Sequence, residues 1–276
     1  MTTSGIPVLF IHGLWIHSSS WTPWLDLFRS AGYEPIAPGW PGDGDTAAQT
    51  RDRPDRLAGI GLDDVAEHYG RIIAAMAREP VVIGHSVGGL VAQKLNVTHA
   101  LRAAVAIDPA PIRGVRPLPL AQLRSAFPVL RRPGNAARTV ALTAKQFRYG
   151  FGNAVSAEES DELHARYAIP GPGRPIFEVA TANLRRRSAA SVDTRTERRG
   201  PLLLVSGQQD HTVPDVVTRA AHRLYRHSPA VADLVRMPDR GHSLAFDHGW
   251  QDVAGLIEGW LSRQFASSTT PRSAMT

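Results

Sequence analysis

The chain has 276 residues, 43% hydrophobic and 20% charged, with 31 Lys and Arg against 25 Asp and Glu for a formal charge of +6. That balance suits one large folded domain carrying an insertion and excludes a disordered chain. The absence of cysteine excludes disulfides, thiolate catalysis and cysteine-held zinc, and no apolar run approaches the roughly 18 residues that span a bilayer. Residues 1–5 lead into the first strand with no basic or apolar leader, so a cytoplasmic location is the expectation.

A run of branched and aromatic residues at 6–11 predicts a strand ending in His12-Gly13. A helix near 20–31 follows, with Ser18 to Ser20 as candidate caps. Next come a strand at 33–37, a Pro/Gly-rich turn at 38–45, and a helix near 62–78 with Asp63 and Asp64 in its first turn, where acids suit the helix dipole. A strand at 80–84 passes into a helix from 87 to about 98, and a strand at 103–107 ends in Asp108-Pro109. Strands at 201–206 and about 233–237 are each followed by a helix, near 214–227 and 250–265. Strand alternating with helix predicts right-handed crossovers and an α/β fold with about six mostly parallel strands.

Residues 112–199 break that alternation. They read as amphipathic helices near 117–131, 137–148, 156–167 and 174–187, separated by turns such as Ile169-Pro170-Gly171-Pro172-Gly173. Residues 1–111 and 200–265 are therefore expected to form the core, 112–199 an inserted helical unit, and 266–276 a disordered tail. There is no internal repeat. Residues 109–200 hold 16 Lys and Arg against 7 Asp and Glu, and arginine outnumbers lysine 29 to 2 over the whole chain. The basic residues are scattered and accompany no nucleic-acid motif. The excess fits an Arg-rich insertion face or attraction for an anionic substrate, not a nucleic-acid partner.

The chemistry begins at Gly84-His85-Ser86-Val87-Gly88, between the strand at 80–84 and the helix from 87. A serine at the tip of such a strand–turn–helix junction is pushed outward, and small flanking residues spare a collision with the neighbouring strand and helix. The Val87 amide then opens a helix and points at the same spot, suited to an oxyanion. A serine hydroxyl needs a base, and the base needs a carboxylate to fix its tautomer. Asp210, in Gly207-Gln208-Gln209-Asp210-His211-Thr212-Val213-Pro214, and His242, in Asp239-Arg240-Gly241-His242, each lie on a loop after an apolar run. Asp108, after the strand at 103–107, is the rival acid, and His211 and His248 are rival bases in less suitable positions. His12 holds its own loop. No H-x-H or H-E-x-x-H spacing suggests a metal site.

With the order Ser86, Asp210, His242 and the early Val8-Leu9-Phe10-Ile11-His12-Gly13-Leu14-Trp15 segment, the chain resembles the α/β-hydrolase superfamily, in particular its small cofactor-free members with a helical cap. The resemblance covers roughly 6–108 and 200–265. It implies a second oxyanion donor at Leu14 N–H, no cofactor, and a cap at 112–199. Many members carry two further strands before the His-Gly loop, hence the expectation of about six here. A serine nucleophile argues against the epoxide hydrolases and haloalkane dehalogenases of this fold, which use aspartate. The expected activity is cleavage of a small apolar carboxylic ester or lactone. Amide, thioester and C–C hydrolases, perhydrolases, cofactor-free oxygenases and a non-catalytic ligand receptor are alternatives. Trp15, His85, Phe147, Tyr149, Phe151 and Phe177 are the expected substrate contacts. Oligomeric state is open.

Overall fold

A computed structural model describes residues 5–268. The first half runs β1 (Pro7–Ile11), α1 (Thr22–Ser30), β2 (Glu34–Ile36), α2 (Ala47–Asp52), α3 (Leu62–Ala74), β3 (Val81–His85), α4 (Val87–Thr98) and β4 (Ala103–Ile107). An inserted stretch follows with α5 (Leu120–Leu130), β5 (Thr139–Val140), α6 (Ala144–Gly150), α7 (Ala157–Tyr167), β6 (Gly171–Pro172) and α8 (Arg174–Ala180). The chain closes with β7 (Leu202–Gly207), α9 (Asp215–Leu224), β8 (Ala232–Met237) and α10 (Trp250–Ser268).

Six strands form one sheet in the order β2-β1-β3-β4-β7-β8, every pair parallel. The expected α/β fold with about six strands is observed. Parallel strands are covered by crossover helices on both faces, so the central ones must be apolar throughout. Val81 to His85, Ala103 to Ile107 and Leu202 to Gly207 are accordingly buried at every position, whereas edge strands β2 and β8 keep exposed residues. The same arrangement brings the carboxyl ends of all strands to one rim, where ligands of open α/β sheets bind. On one face Phe10 packs 4.9 Å from Trp21 and 5.3 Å from Phe28, centroid to centroid. Burying each such side chain is worth about 1.5–3 kcal/mol.

Five sequence expectations are corrected. Helix α2 was not foreseen, although Thr46 and Gln49 form a capping box at its start. Residues 112–199 contain the antiparallel ribbon β5–β6 as well as helices. The helix expected at 137–148 is a short 3-10 turn, Pro133–Ala137, then β5 and α6, and the one expected at 174–187 stops at Ala180. Helix α10 continues through residues 266–268 of the expected tail, and 269–276 lie outside the described residues. The inserted stretch is tied to the loop after β1. Trp15 Nε1–H donates to Val140 O at 2.9 Å, and Ile169 N–H to Trp15 O at 2.9 Å. Among the described residues no helix is long and apolar enough to cross a membrane.

Candidate active site

The turn after β3 is as tight as its glycines imply. Ser86 sits at φ 55° and ψ −120°, a left-handed conformation that costs a non-glycine residue about 1–3 kcal/mol. A Cβ on Gly84 would lie 2.1 Å from Gly88 O, and one on Gly88 would lie 2.3 Å from Ile11 O. Only glycine lets the turn, the start of α4 and the end of β1 close on one another. The loop after β1 approaches equally closely, since a Cβ on Gly13 would stand 2.9 Å from the Ser86 Cβ. His12 keeps that loop in place. Its Nδ1 hydrogen-bonds Gly13 O at 3.0 Å, and the Trp40 amide donates to its Nε2 at 3.2 Å.

Three side chains from the ends of β3, β7 and β8 form one line. The Ser86 hydroxyl donates to His242 Nε2 at 2.9 Å, and His242 Nδ1–H donates to Asp210 Oδ2 at 2.5 Å. Asp210 Oδ1 accepts from the Thr212 and Val213 amides at 2.6 and 2.8 Å. The carboxylate is thus held by backbone and aimed at the imidazole. His242 is fully buried and Ser86 nearly so.

Asp108 adds a fourth group. It is buried at the end of β4 with φ 40°, and its Oδ1 accepts from the Gly207 amide at 2.7 Å. Its Oδ2 lies 4.0 Å from His242 Nδ1 and has no hydrogen-bond partner among the described residues, counting both carboxylates as acceptors. Burial, reinforced by the adjacent Asp210 charge, pushes the Asp108 carboxyl well above the usual carboxylate range. A protonated Asp108 can donate to Asp210, which supplies the missing partner. Asp108, Asp210 and His242 bring three potential metal donors within 4.8 Å, but both ring nitrogens of His242 are already engaged.

Ser86, Leu14, Val87 and Trp15 line a cavity of about 500 Å³. The opposite wall comes from α5 and α8, with Leu123, Ala126, Ile176 and Val179 among its residues. The wall carries few polar groups, among them Gln122, Ser125 and Thr212. Five expected contacts are not part of it. His85 Nε2–H donates to His242 O at 2.9 Å, which steadies the loop carrying that imidazole. Its burial, and then the nearby His242 ring, hold its own pKa well below the usual histidine value. Phe147 and Phe151, one turn apart on and just past α6, stack on each other at 5.0 Å, and Phe151 meets the His242 ring edge-on at 4.7 Å. Phe151 thus packs directly on the His242 ring, and Phe147 packs on Phe151. Tyr149 lies between His211 and the Arg124 guanidinium. Phe177, partly buried against the core like Ile176, stands one residue further along α8, a rotation of about 100° that takes it off the cavity wall. Helix face, not aromatic size, selects the wall.

The sequence model described as "Alpha/beta hydrolase family" matches residues 8–256. The chain belongs to this family. Its structure is similar to the monoacylglycerol lipase of Paleococcus ferrophilus, with a TM-score of 0.66 and 21% identity over 94% of this chain and 96% of that one. It is also similar to polyneuridine aldehyde esterase (TM-score 0.66, 15% identity, 93% of this chain and 99% of that one). A pyrethroid hydrolase from Sphingobium faniae aligns with a TM-score of 0.64 at 15% identity, over 93% and 97% of the two chains. At such identities the likeness is one of fold. No curated protein matches the chain in sequence.

Proposed function

We propose that this α/β hydrolase cleaves a carboxylic ester or lactone through an acyl-enzyme on Ser86. The observation that carries the reading is the unbroken hydrogen-bonded line Ser86–His242–Asp210 opening on an apolar cavity. Its names-only support comes from fold neighbours called esterases and lipases. His242 Nε2 takes the hydroxyl proton as Ser86 Oγ bonds to the carbonyl carbon. The Leu14 and Val87 amides hold the oxyanion, each worth roughly 3 kcal/mol in comparable sites. The alkoxide leaves with the proton from His242, and water, activated by the same imidazole, releases the acid and restores Ser86. Asp210 keeps His242 in the Nδ1–H tautomer, leaving Nε2 to accept the Ser86 proton, and a neutral Asp108 donates to Asp210. The inserted stretch acts as a cap that shapes the pocket and excludes water, which strengthens the oxyanion contacts.

Reaction with a fluorophosphonate, followed by mass analysis, tests the nucleophile, and turnover of short p-nitrophenyl esters tests the reaction. The expected result is a single adduct on Ser86 and turnover that labelling abolishes. Labelling without turnover of any ester would leave a ligand-binding protein on this fold. Turnover unaffected by labelling would remove Ser86 from the chemistry.

A further inference from the structure

A second, polar groove of about 340 Å³ adjoins the apolar cavity, and Arg116 and Pro117 belong to the walls of both. Its other lining residues include Arg195, Arg223, Arg226 and His227, and no carboxylate lines it. Among the described residues, none of these four guanidiniums takes part in an ion pair. The contrast with their neighbours is sharp. Arg219, one turn before Arg223 on α9, pairs with Asp215 at 2.8 Å, and Arg236 on β8 pairs with the same carboxylate. Of the two acids nearest in sequence to Arg195, Asp193 and Glu197, the first accepts from the Arg195 backbone amide, and neither forms an ion pair with its guanidinium among the described residues. Arg226 Nε–H donates to His227 Nε2 at 2.8 Å, which leaves the proton on His227 Nδ1 as a further donor. Four cations gathered without a counter-charge repel one another and are relieved by an anion. Planar forked guanidiniums match the oxygens of a phosphate in particular.

We propose that the arginine groove binds a phosphate carried by the substrate, so that one amphiphilic ester spans both cavities, its apolar part beside Ser86 and its phosphate among Arg116, Arg195, Arg223 and Arg226. This rests on the ester-hydrolase reading and adds the substrate class to it. Arg116 and Pro117 line both spaces, which therefore lie side by side, and a ligand with an apolar chain and an anionic end accounts for both linings at once. Two of the 16 basic residues of 109–200, Arg116 and Arg195, acquire a use in the same step.

Two water-soluble substrates of equal chain length decide it: 1-hexanoylglycerol and 1-hexanoylglycerol 3-phosphate, both assayed as monomers. The expected result is a kcat/KM at least tenfold higher for the phosphate ester, shrinking as salt is raised. In Arg223→Glu with Arg226→Glu that preference falls at least tenfold, while hexanoylglycerol turnover stays within twofold and so certifies the fold. The neutral pair Arg223→Gln with Arg226→Gln should lie between. Equal rates on the two substrates in the unaltered protein, or a preference that charge reversal leaves intact, would overturn the proposal. Calorimetry with inorganic phosphate separates the sources. Saturable binding lost on charge reversal, without any preference for the phosphate ester, means a free-anion site and overturns the substrate claim. If neither hexanoyl ester nor any p-nitrophenyl ester is hydrolysed, the ester reading itself fails, and phosphate calorimetry still tests the groove.

Discussion

The sheet and the inserted stretch solve the burial problem in opposite ways. Strands β1, β3, β4 and β7 lie between helices and bury nearly every residue, whereas α5 leaves Leu120 83% and Phe127 60% exposed. Leu118, Leu123 and Leu184 are exposed as well, and all three line the cavity beside Ser86. The core satisfies itself and can hold strained residues such as Ser86 and Asp108 in place. The insertion spends its apolar surface on a space meant for something else. Substitutions at the sheet rim should therefore act on the chemical step, and those in α5 and α8 on the choice of substrate.

The strongest test of that division is Ser86→Ala. Hydrolysis should fall by up to about 10⁶-fold, as in triads that lose their nucleophile, while the melting temperature stays near that of the parent, since the change removes only a hydroxyl from a turn tip. Next comes Asp210→Asn, expected to lower kcat about 10⁴-fold by allowing the wrong imidazole tautomer. Asp108→Asn should cost less than about tenfold, because an amide can still donate to Asp210. Steady-state kinetics that reverse this ranking would make Asp108 the acid. On the insertion side, Leu123→Ala or Ile176→Ala should change the ratio of kcat/KM between short and long acyl esters by about tenfold, the usual worth of a methylene or two in an apolar pocket. Fluorophosphonate reactivity should barely move. An unchanged chain-length profile would mean that α5 and α8 do not select substrate.

The smallest effect is on stability, where pH sets two buried core residues against each other. Asp108 holds its proton in the folded protein at pH values where the unfolded chain has released it, so its burial costs stability increasingly as pH rises above the ordinary carboxylate range. Asp108→Asn should therefore raise the melting temperature by a few degrees at pH 8 and little at pH 4. His85 works in the reverse direction. Held neutral by burial, it costs stability as pH falls below the usual histidine value. Thermal scans of Asp108→Asn that show the same shift at both pH values would argue against a protonated Asp108.

The two regions also differ in how legible they were from sequence. The strands of the core announce themselves because burial on both faces demands continuous apolar runs, and the site loops follow those runs directly. The Ser86 turn was legible to the level of individual glycines, since Gly84 and Gly88 have a single steric purpose. Helix α2 was hidden by a Pro/Gly-rich approach, despite the cap at Thr46. The cavity wall was missed because aromatic residues were expected there. The helical spacing of Leu123, Ala126 and Leu130 was the available signal, but it does not say which of two apolar faces meets the core and which meets a ligand. Asp108 could be named as a rival acid from its place after β4. That it stands beside Asp210 depends on strands β4 and β7 being neighbours, a fact of topology that no local pattern carries.

The loop after β1 is stitched to the insertion at both edges: Ile16 bridges to Ala168, the His17 amide bonds Tyr167 O, and Trp15 is held through its ring and its carbonyl. Leu14 lies within that stitched segment. Swapping insertions between relatives would thus disturb the loop next to Ser86 unless residues 13–17 travel with the graft. On the proposed reading of the insertion as the specificity element, the transferable unit is discontinuous, one short early segment together with one long middle one, and chimeras joined only at the ends of the insertion should be well folded and slow.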